Sequence, residues 1–447
     1  MKLTFNILIL LFCMLCVSCE KYLNEKPSAK IATPSTLEDV QLLLKDYARL
    51  NAAHPNAAEL ASDNFYVNIQ NLNSASERER KTYLWQENDE VGPFWTSPYR
   101  AIFISNIIME TVEKVEGGEE SIKKNYYAQA RFWRALYHYS LATLFCKPYS
   151  KESAETDLGI PLKITADINL IPQRSTVMET YEFIISEIQQ ALPHLDTDIT
   201  VKYQPNRAGS YGFLSRIYLA MNDYTKAELY ADSCLQIYST LIDYNEINTS
   251  QNVPFQARNA EVILDVQASV ASLLHRNRGH VDTFLLKSYS ENDLRVPAFF
   301  TLNADKTRGF KGHYSGSSSA IQFVGIATDE IYLIKAECSA RMGKTDLALK
   351  YLNLLLSKRI KKDTFVEVAE TDPVKLLHII LLERRKELIA RGLRWTDLRR
   401  LNQDEKYKET LKRKLGSDIY ELLPGGDRYV FKIIKESVEF SGLTQNP

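Results

Sequence analysis

Four groups of residues have types and spacings that chemistry can use. In CMLCVSC, Cys13, Cys16 and Cys19 lie three apart, a row that suits zinc or an iron–sulfur cluster only when further ligands and a folded shell complete the cage. Cys13 and Cys16 instead sit in apolar sequence with no His, Asp or Glu beside them. His275 and His280 bracket RNRG, a spacing with no third ligand in view. Two constellations combine rings with hydrogen-bonding side chains: Asp63, Asn64, Tyr66, Trp85 and Asn88, then Arg276, Tyr289, Arg295, Phe299, Phe300 and Tyr314. Rings that cover the apolar face of a pyranose, flanked by Asn, Asp or Arg for its hydroxyls, bind sugars; the same rings also fill cores. The fourth group, ERRKELIARGLRWTDLRR, carries enough arginine for a phosphate site. Yet Glu383, Glu387 and Asp397 lie at helical or turn distance from Arg384, Arg391, Arg394 and Arg400. That spacing predicts internal ion pairs, with Trp395 as an anchor and Gly392 as a turn, and no catalytic role.

No nucleophile is set up. A G-x-S-x-G elbow is missing and the seven histidines are scattered, whereas nucleophilic catalysis needs a positioned base. A hydrolytic carboxylate pair cannot be picked out of 56 acidic residues by sequence. The reading is therefore binding without turnover, not an enzyme, with no cofactor and no metal implied. Composition agrees with an ordinary folded chain of 447 residues, 45% hydrophobic and 25% charged. The formal net charge of −1 provides no basic field for nucleic acid.

The elements that must position these groups follow a leader. After Met1 and Lys2 comes LTFNILILLFCMLCV, an apolar run of secretory length, so residues 1–18 read as a signal peptide. Cys19 closes that run, follows Ser18 and precedes polar EKYLNEKPS, which resembles a bacterial lipobox. Cys19 is thus the expected lipid attachment site, with several acyl chains, each CH₂ worth ~0.8 kcal/mol on burial, holding the protein on a membrane. Residues 19–35, with Pro27 and Pro34, read as an extended tether.

Beyond it, Thr36 is a helix cap candidate. Apolar stripes at helical spacing then recur over 125–145, 176–192, 206–222, 223–238, 327–343 and 344–359. Two pairs match the tetratricopeptide (TPR) pattern of large and small residues. The first has Leu214, Ser215, Tyr218, a turn at Asn222, Tyr224, Ala227 and Cys234. The second has Tyr332, Ala336, a turn at Gly343, Ala348, Leu352 and Leu355. Cys146, Cys234 and Cys338 look like small apolar fillers, and no disulfide framework is apparent. Segments 51–120 and 240–325 lack the periodicity and read as irregular excursions, where binding function tends to sit. The predicted class is mostly α, a scaffold of TPR-like helix pairs near 125–145, 176–238 and 327–400 with an irregular, loop-rich half.

An ordered series of motifs then carries a family resemblance: CEKYLNEKPSAKIATPSTLEDVQLLL, ELASDNFYV, FWTSPYRAIFISNIIME, ARFWRALYHYSLATLFCKPYS, GIPLKI, RSTVMETYEFIISEIQQALPHL and LLERRKELIARGLRWTDLRRLN. By these the chain resembles the SusD/RagB-like outer-membrane lipoproteins of Bacteroidetes along nearly its whole length. The resemblance implies one SusD-like domain over 36–447, lipid-anchored in the outer membrane and exposed at the cell surface. It further implies a glycan-binding protein that delivers oligosaccharide to a SusC-like TonB-dependent transporter. The TPR-like helices would face the transporter, and glycan contacts would come from the regions of the two constellations. Two other readings stay open at this point: a structural subunit of the transporter complex, and a receptor for a non-glycan nutrient such as peptide.

Overall fold

Helix formation begins where the sequence places its cap. The Thr36 hydroxyl accepts from the Asp39 amide and the Asp39 carboxylate accepts from the Thr36 amide, a reciprocal capping box. In this computed structural model, residues 34–317 and 321–447 are described; the leader, Cys19 and nearly all of the tether lie outside them. Among the described residues, ten helices have eight residues or more. They are α1 (Leu37–Leu44), α2 (Gly92–Lys114), α3 (Glu120–Phe145), α4 (Val177–Ala191), α5 (Arg207–Ala220), α6 (Tyr224–Ile237), α7 (Thr328–Arg341), α8 (Thr345–Leu356), α9 (Pro373–Glu387) and α10 (Arg394–Leu401). The fold is mostly α.

The two tetratricopeptide-like pairs form as α5–α6 and α7–α8. Their turns need left-handed backbone, supplied by Asn222 at φ 58° and Gly343 at φ 74°. Cys146, Cys234 and Cys338 are free and buried, and burial pushes the Cys146 thiol up to about 12, so these sulfurs act as fillers. The helical core gathers on α3, whose Phe132, Trp133, Tyr137 and Phe145 are fully enclosed.

One element departs from the sequence reading. α2 lies inside 51–120, the stretch expected to be irregular. Gly92, Pro93 and Pro98 obscure its periodicity, Pro98 by removing a backbone donor. Burial of Trp95, Ile102, Ile108, Met109 and Val112 against its neighbours overrides that local preference.

The irregular half has its own aromatic core, including Phe65, Phe255, Phe299, Phe300 and Phe310. Short antiparallel pairs frame it. β1 (Phe65–Val67) pairs with β2 (Gly279–Val281), and β3 (Phe300–Leu302) with β4 (Arg308–Phe310).

Candidate functional site

Strand alternation separates the first constellation. In β1, Phe65 and Val67 point into the core while Tyr66, between them, is 37% exposed. Tyr66 lies opposite His280 of β2, with ring centroids 5.1 Å apart at 43°. The His280 ring is fixed from the other side. The Thr307 hydroxyl gives its single proton to Asp305 Oδ1 at 2.6 Å. The 2.8 Å contact between Thr307 Oγ1 and His280 Nδ1 is then one in which the imidazole donates. Asn303 Nδ2 donates to the same hydroxyl oxygen at 3.0 Å and to the Arg276 carbonyl at 3.3 Å.

A continuous network therefore runs from Arg276 through Asn303, Thr307 and His280 to the Tyr66 ring. The β3–β4 hairpin can pass so close to Arg276 because residue 309 is glycine; a Cβ there would stand 1.9 Å from the Arg276 carbonyl oxygen.

The electrostatics suit a polar neutral ligand. Burial, then Asp305 and Asp282, raise the Tyr66 hydroxyl pKa, so it remains a donor at neutral pH. Burial lowers His280 against the opposing pull of Asp305, leaving a neutral ring. Hydrogen bonds from the Thr307 side chain and amide lower Asp305. The Arg276 side chain is half-buried, with no hydrogen-bond or ion-pair partner among the described residues. Phe284, 79% exposed, follows Asp282 by two residues. The result is an exposed ring with two carboxylates, Asp305 and Asp282, close enough to act on its hydroxyl.

The other candidates, Arg276 apart, engage partners within the fold. Asp63 pairs with Arg394 at 2.7 Å and Arg385 at 3.0 Å. Burial alone would raise its carboxyl, but these two guanidiniums hold it well below the usual range. Asn64 donates to Glu59 at 2.9 Å and accepts from Arg385 at 3.3 Å. Trp85 gives its indole N–H to the Ala61 carbonyl at 2.8 Å and stacks on Arg413, 4.3 Å from its ring. Asn88 caps the Thr82 hydroxyl and the Arg78 carbonyl at 3.1 Å each. Trp85 and Asn88 border a cleft of 190 Å³ but spend their polar groups internally.

In the second constellation, Tyr289 donates to the Lys386 carbonyl at 2.8 Å. Arg295, 0% exposed, is held by Asp293, Glu383 and Glu387 at 2.7, 2.6 and 3.1 Å. Phe299 and Phe300 are core, and the Tyr314 ring lies 4.5 Å from the Arg391 guanidinium.

Most of these residues meet one segment, 383–400. Internally, Asp397 takes Arg384 and Arg400 at 2.8 and 2.9 Å, and Glu383 takes Lys386 at 2.6 Å. Its other charges reach distant partners: Arg394 to Asp63, Arg391 to Asp329 and Glu387 to Arg295 and Arg359. Gly392 does supply the turn, at φ 69°, and Trp395 is fully buried against Tyr429, with ring centroids 4.8 Å apart. Of the residues the sequence left out, Asp305, Thr307 and Phe284, the first two had a visible signal: NADKT between TL and RGF is a hairpin turn.

The helical half presents a different surface. A groove of 480 Å³ opens between α2, the 161–172 loop and a short C-terminal helix (Lys435–Ser441), lined by Trp95, Tyr99, Phe103, Ile168, Ile171 and Phe440 among others. Phe440 is 81% and Ile168 74% exposed.

Comparison with known proteins agrees with this architecture. A family model described as "SusD-like_3: Starch-binding associating with outer membrane" matches residues 21–219, and "SusD_RagB: SusD family" matches residues 308–430. The "SusD-like protein P38" of Formosa agariphila is 22% identical over 86% of this chain and 88% of that protein. A SusD superfamily crystal structure from Bacteroides thetaiotaomicron superposes with a TM-score of 0.76 at 20% identity, covering 92% of this chain and 100% of that one. Surface glycan-binding protein A from Bacteroides uniformis superposes at 0.72 and 17% identity, covering 92% and 98%.

Proposed function

The chain belongs to the SusD family, and from that premise we propose that it is a cell-surface glycan-binding lipoprotein of the outer membrane. It binds oligosaccharide or polysaccharide without turnover, is anchored through Cys19 and delivers ligand to a SusC-like TonB-dependent transporter. The observation that carries the glycan reading is Tyr66, an exposed ring braced by His280 in the irregular half, with the carboxylates of Asp305 and Asp282 near its hydroxyl. Such a ring can cover a pyranose face while the Asp and Arg side chains take hydroxyls.

Affinity electrophoresis over a polysaccharide panel, followed by calorimetry on the binder found, tests this. Tyr66→Ala lowers affinity about tenfold or more, near 1.4 kcal/mol, with unfolding unchanged, whereas Trp85→Phe leaves affinity intact. A panel without any binder, with a peptide bound instead, would overturn the sugar assignment.

The transporter reading draws support from the apolar groove, since exposed apolar patches of this kind mark contact surfaces. Phe440→Asp is expected to abolish co-purification with the transporter while glycan affinity stays. Loss of neither property would favour a contact elsewhere.

A further inference from the structure

Where α3, α5 and the start of α10 converge lies an enclosed cavity of 40 Å³, too small for a sugar. Arg216, Arg384, Arg391 and Arg400 line it together with Tyr139 and Asp397. The four arginines and Tyr139 are each less than a tenth exposed. Several of their donors have no acceptor among the described residues: Nη1 of Arg384, Nε and Nη2 of Arg391, and the Tyr139 hydroxyl. One face of Arg391 is covered by Tyr314 and Phe323, whose ring centroids both lie 4.5 Å from its guanidinium. A buried donor left unpaired is destabilising, and a charged one more so, so an acceptor is needed in this space.

The surrounding carboxylates do not supply it. Asp397 divides its oxygens between Arg400 and Arg384. Asp329 takes Arg391 and Glu330 takes Arg216, while Glu337 is shared by Arg400 and Arg341. Five guanidiniums therefore rest on four carboxylates. Arg399, also buried, donates only to the carbonyls of Thr143 and Cys146. Glu59 accepts from the amides of Ala390 and Gly392 and from Asn64, with no arginine partner. His54, the other titratable group on the cavity, has its Nδ1 2.9 Å from the Pro55 carbonyl and is kept neutral by burial.

We propose that this cavity binds a small monovalent anion of the halide class, held by Arg384, Arg391 and Tyr139. A water molecule would accept from the same donors but bring two protons of its own and no charge. A monatomic anion satisfies the donors and offsets the guanidinium excess together. The site is structural, and it locks the 384–400 turn to the helical scaffold.

Crystals grown in bromide and measured at the bromine edge provide the direct test. An anomalous peak is expected inside the cavity, within hydrogen-bond distance of Arg384 and Arg391. In solution, thermal unfolding in chloride against gluconate at equal ionic strength should give a midpoint that rises and saturates with chloride, as binding to the folded state alone requires. Tyr139→Phe, which keeps the ring, raises the half-saturating chloride concentration about fivefold. A cavity with solvent density and no anomalous signal, or equal midpoints in both salts, would overturn the proposal.

Discussion

The platform at Tyr66 and the turn at 384–400 both draw on arginine and aspartate, and they differ in where their charges are spent. Around 384–400 nearly every charge meets another: Arg400 on Glu337, Arg384 on Asp397, Arg394 on Asp63. Around Tyr66 the network closes only beneath the ring, through His280, Thr307 and Asn303. The Tyr66 hydroxyl and the Arg276 side chain have no hydrogen-bond partner among the described residues. What distinguishes the two regions is where the unspent donors lie, at an exposed ring around Tyr66 and in the interior around Arg384 and Arg391, not the residue inventory.

The largest test of that contrast is Glu387→Ala. Glu387 holds Arg359 at 2.7 Å and Arg295 at 3.1 Å, all with 0% side-chain exposure. Its removal leaves two guanidiniums short of a counter-charge, and losses of about 3–5 kcal/mol are typical for breaking such buried pairs. Denaturant unfolding should show that loss, while the folded fraction keeps its glycan affinity. A fall in affinity at full folding would mean that the two regions are one functional unit.

Acid titration probes the staple alone. Burial would raise Glu337, but Arg400 and Arg341 hold it down at about 2 against an ordinary value of 4.5. The unfolded chain then binds the extra proton first, so this contribution is complete above pH 4.5 and disappears as pH falls through 2. It amounts to something on the order of 3 kcal/mol. Glu337→Gln should lower stability at pH 7 and flatten the acid limb, so that the variant and the parent converge near pH 2. Parallel acid limbs would assign the pH dependence to other carboxylates.

Gly309→Ala attacks the platform instead. The added Cβ would sit 1.9 Å from the Arg276 carbonyl oxygen, a backbone atom, so the hairpin or the Arg276 segment must shift. Overpacking of this sort costs about 1–3 kcal/mol. The larger readout is affinity, expected to fall at least as far as in Tyr66→Ala. Retained affinity would show that the hairpin's position against β2 does not matter to binding.

Local physics was legible in the sequence, and long-range pairing was not. The cap at Thr36 and the turns at Asn222 and Gly343 depend on backbone demands that their own residues meet, so pattern alone located them. Asp397 found both arginines because they lie within one turn or one loop of it. Arg394 pairs with a residue 331 positions away, and no spacing rule reaches that far. Asp63 and Tyr66, three apart, looked equally fit for a ligand. Strand alternation puts Tyr66 outward, and Asp63 is taken by a partner from the far end of the chain. α2 stayed hidden because its prolines speak against a helix until packing decides the matter.

The smallest change, Thr307→Val, asks how firmly the platform must be braced. Valine keeps the shape but removes the hydroxyl that donates to Asp305 and accepts from His280 and Asn303. His280 is packed in β2 and 3% exposed, so its ring stays in place but its Nδ1–H loses an acceptor. Asp305 loses one of the hydrogen bonds that lower its pKa and keeps the one from the amide of residue 307. Unfolding should change little, because the hydroxyl lies near solvent and water can replace part of what it did. Affinity should fall only a few-fold, and calorimetry should show that loss as a poorer enthalpy of binding. A loss as large as that of Tyr66→Ala would make Thr307 a direct ligand contact, and an unchanged affinity would show that the ring needs no support beyond its strand.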